Sequence, residues 1–162
     1  MWLSRLIAIL LVGMLTACTG LSVTPLGTNF TKDDLRIAVI GTGGRNGQIY
    51  SRALNSLIGG AADPAFTLSS ELSVASSSTL TVRGSSSNLK KRSMTAKITL
   101  VDAATGKTVM SDSISESSTV GTVSSYYAQT RSDKHSDERT SLLLAERVAA
   151  RVHLYFLDAK GQ

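Results

Sequence analysis

The alternation that begins at Phe66 constrains this chain more than any other feature. Phe66, Leu68, Leu72 and Val74 fall on one side of an extended backbone, while Thr67, Ser69, Glu71 and Ser73 fall on the other. A strand with one buried and one wet face accommodates that pattern, and Ser70 interrupts its inward set. The same period returns at Leu80 and Val82. It returns again over residues 94–100, where Met94, Ala96, Ile98 and Leu100 alternate with Thr95, Lys97 and Thr99. Between these stretches, residues 84–92 read as a polar loop. Residues 102–107 (DAATGK) carry the turn chemistry that reverses a chain, so residues 108–118 are expected to pair back as an antiparallel strand. Its apolar residues are few, Val109, Met110 and Ile114, which suits an edge or a surface covered by a partner.

Two segments change period. An earlier strand, residues 35–40, places Leu35, Ile37 and Val39 on one face and Arg36 on the other. A glycine-rich turn, residues 41–47, follows it. From residue 48 to 58, Ile49, Ala53, Leu54, Leu57 and Ile58 fall at helical spacing, and Gly59-Gly60 stops the helix. A second, longer helix is expected from about Ser136, an N-cap residue with Asp137 and Glu138 in the first turn. Its apolar stripe is Leu142, Ala145, Ala149, Val152 and Phe156, with Arg139, Arg147 and Arg151 off it. Helices and strands in this order predict an α+β fold: a two-layer sandwich with about four strands in a mixed sheet and two helices on one face.

The beginning of the chain stands outside that fold. Arg5 and the amino terminus are positive, residues 6–15 (LIAILLVGML) contain no charge, and Leu15-Thr16-Ala17-Cys18 closes the segment with small residues and the sole cysteine of the chain. The apolar run is too short for a bilayer span, which takes roughly 20 residues, and it reads as a secretory leader. One cysteine cannot build a disulfide framework. The tetrad resembles the lipobox of bacterial lipoprotein signal peptides, which implies cleavage before Cys18 and acylation of its thiol. The organisation expected is a signal peptide over 1–17, a lipidated tether over 18–34, one domain over 35–158 and a tail over 159–162. A domain of this size buries roughly 70% of the surface that its unfolded chain exposes, enough for a core without staples or metals.

Several kinds of chemistry find little support. Ile40-Gly41-Thr42-Gly43-Gly44-Arg45-Asn46-Gly47 lies between a strand and a helix, as a dinucleotide-binding turn does. Asn46 occupies the position of the third glycine, however, and Glu71 lies in the middle of the next strand where an acidic residue is needed at the end. The glycines are read instead as a flexible connection, and no cofactor is expected. His135 and His153 are far apart and join no ligand cluster, so no metal is expected. His153 is read as a boundary residue of the last helix. Serine is too abundant for its presence to indicate a catalytic triad, and no enzymatic activity is expected. Aromatic residues make up 5% of the chain and its formal charge is +5, which permits an anionic partner but makes nucleic acid a poor one. The basic residues Lys90, Lys91 and Arg92, with Arg83 upstream, suit phosphate, although such a run is commonly solvated surface.

With these elements placed, the chain resembles the short form of the lipopolysaccharide-assembly lipoprotein LptE (RlpB) family. The resemblance rests on the lipobox cysteine followed by Thr24-Pro25-Leu26, strand 35–40, the segment Arg45 to Leu57 (RNGQIYSRALNSL) and the strand from Phe66. It continues through Lys91-Arg92, Asp102 to Lys107, Ser125-Tyr126-Tyr127-Ala128 and a terminal helix rich in Ala and Arg. Thr19-Gly20-Leu21 depart from the aromatic that often follows the cysteine in the family. The resemblance implies a non-enzymatic plug and assembly factor for the outer-membrane barrel LptD, in contact with lipopolysaccharide. Arg83, Lys90, Lys91 and Arg92 are the candidate lipopolysaccharide-binding residues and Cys18 is the lipid attachment site. Thr19 in place of an Asp after the cysteine favours the periplasmic side of the outer membrane. A lipid-anchored periplasmic adaptor for an envelope enzyme or ABC-type transporter would use a similar small module.

Overall fold

The computed structural model describes residues 35–81 and 88–160; the leader, the tether, Cys18, Val82, Arg83, residues 84–87 and the last two residues lie outside them. Among the described residues the order is β1 (Ile37–Val39), α1 (Gly44–Ile58), β2 (Phe66–Thr81), β3 (Asn88–Asp102), β4 (Thr108–Gly121) and α2 (Tyr126–Lys160). The strands form one mixed sheet in the order β1-β2-β3-β4. β1 runs parallel to β2, across the α1 connection, and β2, β3 and β4 are antiparallel. Both helices pack on one face, as expected for an α+β two-layer sandwich.

The core lies where β1 meets the lower halves of the long strands. Ile37, Leu68, Ile98, Leu100, Ala96 and Met94 are closed over by Tyr50, Leu54 and Ile58 of α1 and by Leu144, Ala145, Val148, Ala149 and Val152 of α2. Each large aliphatic so buried contributes about 1.5–3 kcal/mol. At the foot of the sheet Phe66 meets Phe156 edge to face, with ring centroids 5.0 Å apart. The inward gap at Ser70 has a partner: Tyr50 lies in the core with its hydroxyl 3.0 Å from Ser70 Oγ. A buried phenol needs such a partner, so the serine belongs to the pattern.

Four expectations need correction. The glycine-rich turn is no flexible connection, since Gly44–Ile58 is one helix. Thr42 folds back over its first turn, donating its N–H to Ser51 Oγ and its hydroxyl to the carbonyl of Ser70. A Cβ on Gly47 would stand 2.6 Å from the Thr42 carbonyl oxygen, so contact rather than flexibility requires glycine there. On α1 the inward residues are Tyr50, Leu54 and Ile58, whereas Leu57 is exposed.

The second correction concerns residues 88–92, expected in a loop, which are the first residues of β3. They pair on both sides, Lys91 with Ser77 and Thr119, Arg92 with Ser76 and Ser118. Third, α2 begins at Tyr126, so Ser136 is internal and caps nothing; the helix also takes in residues 159 and 160, expected as tail. Fourth, the α2 stripe is displaced: Leu144 and Val148 are buried and Leu142 is exposed.

The turn of residues 102–107 and the edge position of β4 are as expected. The Asp102 carboxylate accepts N–H groups from Ala104 and Thr105, and Gly106 takes a φ of 67° that suits glycine. Those bonds hold the Asp102 pKa below its ordinary value, the Thr105 N–H first. At the other edge Arg36 adopts a φ of 45°, which turns its carbonyl to accept from Ala65 and Phe66. Its side chain pairs with Asp63.

Candidate functional site

Strand alternation gives the sheet two chemically different faces. The face away from the helices carries cross-strand rows of hydroxyls and charges: Ser69, Thr99 and Ser111; then Glu71, Lys97 and Ser113; then Ser73, Thr95 and Ser115. Thr95 and Ser115 hydrogen-bond at 2.7 Å, and Glu71 stands opposite Lys97 as a pair of opposite charges. On β4 every second residue from Ser111 to Thr119 is exposed. No element among the described residues covers this face. β2, the longest strand with 16 residues, is about 50 Å long at 3.3 Å per residue, and β3 and β4 run beside it over 15 and 14 residues, so the hydrated surface is extended.

The helix-facing side also changes along its length. Above the core, apolar residues give way to a polar seam between the sheet and α2. Arg92 donates from Nε and Nη2 to the two carboxylate oxygens of Asp137, 2.7 Å each, and Asp133 stands 3.8 Å from its Nη1. The bond to Asp137 raises the Arg92 pKa, against the opposing effect of burial. Ser118 and Ser136 meet at 2.6 Å, with Thr140 Oγ1 3.0 Å from Ser118 Oγ. Arg147 pairs with Glu116 at 2.7 Å, and Arg151 donates to Asp112 at 2.6 Å. The Arg151 bond is the first cause, and the Ser113 N–H the second, of the lowered Asp112 pKa.

The basic residues singled out in the sequence are therefore dispersed. Arg83 and Cys18 lie outside the described residues. Lys91 is exposed and, by alternation, on the open face. Lys90 shares the helix-facing side with Arg92 and is half-buried, and Arg92 is held by two aspartates of α2. Asp133 and Asp137 were missed as its partners because nothing in their local sequence points to a strand over forty residues earlier. Their spacing of four, one side of a helical turn, was the available signal. His153 is half-buried and burial lowers its pKa, in keeping with a boundary position.

Two hollows flank α2. One, of about 500 Å³, lies between its residues 132–143 and the end of β4, and includes Glu116, Ser118, His135 and Arg139. The other, of about 400 Å³, is lined by Arg45 of α1 and by Arg131, Lys134, His135 and Glu138 of α2. Arg45 pairs there with Glu138, whose pKa is lowered first by that hydrogen bond. Among the described residues no group of His, Cys, Asp and Glu could hold a metal ion, and no helix is long and apolar enough to cross a membrane.

This architecture is a fold of small bacterial lipoproteins of known structure. The chain is similar to a candidate lipoprotein from Caulobacter crescentus, with 21% identity over 74% of this chain and 89% of the other, at a TM-score of 0.58. It is similar also to the minor lipoprotein of Acinetobacter baumannii, with 9% identity over 74% and 94% of the two chains, at a TM-score of 0.52. The particular likeness that the sequence led us to expect is to rare lipoprotein B, the RlpB or LptE type. The Shewanella oneidensis protein of that name shares the fold over 76% of this chain and 96% of its own, with a TM-score of 0.59 at 12% identity. No family model and no curated protein matches the sequence.

Proposed function

We propose that this protein is an outer-membrane lipoprotein of the LptE (RlpB) family, held through acyl groups on Cys18 and facing the periplasm. In this reading it acts as plug and assembly partner of the LptD β-barrel during lipopolysaccharide transport. The observation that carries the reading is the asymmetric sheet, with helices on one face and, on the other, an extended surface of serine, threonine and paired charges that no element among the described residues covers. A domain seated in the water-filled lumen of a barrel must present such a surface, because barrel interiors are polar and offer hydrogen-bonding groups instead of an apolar socket. The fold shared with rare lipoprotein B supports it, as does the lipobox-like segment ending at Cys18. Two or more acyl chains suffice for stable attachment at about 0.8 kcal/mol per buried CH₂. Catalysis has no place in the proposal.

For lipopolysaccharide phosphates, Arg83, Lys90, Lys91 and Arg92 remain the proposed contacts, with different duties. Lys91 is open to a ligand, whereas Arg92 holds α2 through Asp137. Purification of the tagged full-length lipoprotein from envelopes tests the reading. Co-elution of a large β-barrel, loss of surface lipopolysaccharide on depletion, and palmitate labelling abolished by Cys18→Ala are expected. Recovery with a synthase or transporter subunit in place of a barrel, with surface lipopolysaccharide unchanged, would overturn it in favour of an adaptor.

A further inference from the structure

Arg131, Lys134, His135 and Glu138 follow one another at steps of three, one and three, so they share one side of α2. That side is turned away from Asp133 and Asp137, whose carboxylates are taken up by Arg92 of the sheet. It faces instead the first turn of α1, where Arg45 projects from a helix start with no acidic residue and no side-chain cap. The resulting hollow of about 400 Å³ holds three permanent cations, Arg45, Arg131 and Lys134, against one carboxylate, Glu138. Glu138 pairs with Arg45 and also feels the charge of Arg131 at longer range, so one carboxylate is shared among the three cations, and none among the described residues makes a direct ion pair with Arg131 or Lys134. A concave site with two positive charges in excess concentrates anions, and guanidinium and ammonium groups supply the fork and the point donor that phosphate oxygens accept.

We infer that the hollow between α1 and α2 is a binding site for a phosphate monoester or diphosphate group, with Arg131 and Lys134 as its donors and Glu138 as a brake on affinity. Neither residue appears among the contacts assigned above to lipopolysaccharide, and the site does not depend on the barrel reading. The phosphate could belong to a lipid headgroup or to a soluble molecule, and the two sources separate experimentally.

The full-length lipoprotein, held in phosphatidylcholine nanodiscs, is titrated calorimetrically with pyrophosphate, with dihexanoyl phosphatidate and with dihexanoyl phosphatidylcholine. Saturable binding of one or both phosphates is expected, weakening as salt rises; the tighter of the two names the source. The Arg131→Gln/Lys134→Gln variant should bind at least tenfold more weakly, and Glu138→Gln several-fold more tightly. These side chains line an open hollow, so unchanged circular dichroism will accompany both variants. Lys107→Gln, which removes an exposed cation of the turn between β3 and β4, should bind as the parent does. The inference falls if no phosphate binds, if neither α2 variant moves the affinity more than twofold, or if Lys107→Gln weakens binding as much as the Arg131→Gln/Lys134→Gln variant does.

Discussion

Arg92 and Asp137 form a bidentate ion pair that joins β3 to α2, with both N–O distances at 2.7 Å and side-chain exposures of 18% and 15%. No residue of α2 before Thr140 is buried, so this pair, with the Ser118–Ser136 contact, replaces apolar burial as the attachment of the helix's first turns. Removing one partner leaves the other charge half-enclosed without its hydrogen bonds. Arg92→Ala is expected to cost about 2–3 kcal/mol. Urea denaturation measures it, and a loss below about 0.5 kcal/mol, the range of ordinary surface changes, would mean that the pair is solvated. Arg92→Leu/Asp137→Leu should be much closer to the parent than either single change, because no orphaned charge remains.

The pair also shows where the sequence was opaque. Hydrophobic period located β2, β3 and β4 because Leu68, Ile98 and Met110 alternate with hydroxyl residues, and one buried face enforces that alternation. The first turns of α2 carry no such period. Residues 126–139 bury nothing apolar, since their partners on the sheet are Arg92 and Ser118 rather than aliphatics. Lys90, Lys91 and Arg92 read as a loop for the same reason: a strand whose inward position is an arginine is recognisable only once its aspartate is known. Cys18, the lipid-attachment residue expected from local sequence, lies outside the described residues. The hollow beside α1 was not legible in the sequence, because Arg45 and Arg131 lie on different helices and only the packing of α1 on α2 brings them together.

Tyr50 supplies a pH-dependent prediction. Burial raises its pKa above the ordinary phenol value, and the Ser70 hydrogen bond offsets this in part. A group whose folded pKa exceeds its unfolded value of about 10 contributes its full stability below that pH. The contribution is lost as pH rises through the folded value. Stability measured by thermal unfolding should therefore decline above about pH 10. Tyr50→Phe should lose about 1 kcal/mol at neutral pH through the unpaired Ser70 hydroxyl and flatten the alkaline decline. An identical alkaline slope in Tyr50→Phe would assign the effect to other groups.

Gly47 and Gly43 lie on either side of the start of α1 and should respond differently to alanine. At Gly47 the new methyl would meet the Thr42 carbonyl oxygen at 2.6 Å, whereas at Gly43 nothing lies within 4 Å. Overpacking of this kind costs about 1–3 kcal/mol, while alanine inside a helix returns about 0.5–1 kcal/mol over glycine. Gly47→Ala should thus be destabilised by about 1–2 kcal/mol in urea titrations, with Gly43→Ala within about 0.5 kcal/mol of the parent. Equal responses would show that Thr42 does not fold over the helix as described.

The phase of α2 is tested by two leucines two residues apart. The spacing of apolar residues alone placed Leu142 in the core, yet it is 46% exposed while Leu144 is fully buried beside Val148. The difference arises because Thr140 and Ser141 occupy inward positions, satisfied by the carbonyls of Ser136 and Asp137 one turn back, so the polar seam fixes the rotation of the helix before its apolar stripe begins. Truncating a fully enclosed leucine forfeits its transfer energy and leaves a cavity, together about 3–5 kcal/mol. Leu144→Ala should lower stability by that amount, and Leu142→Ala by less than about 1 kcal/mol, as expected of a half-exposed side chain. Chemical denaturation of the two variants under one condition decides it: a larger loss at Leu142 than at Leu144 would rotate α2 by more than half a turn and move Arg131 and Lys134 away from Arg45.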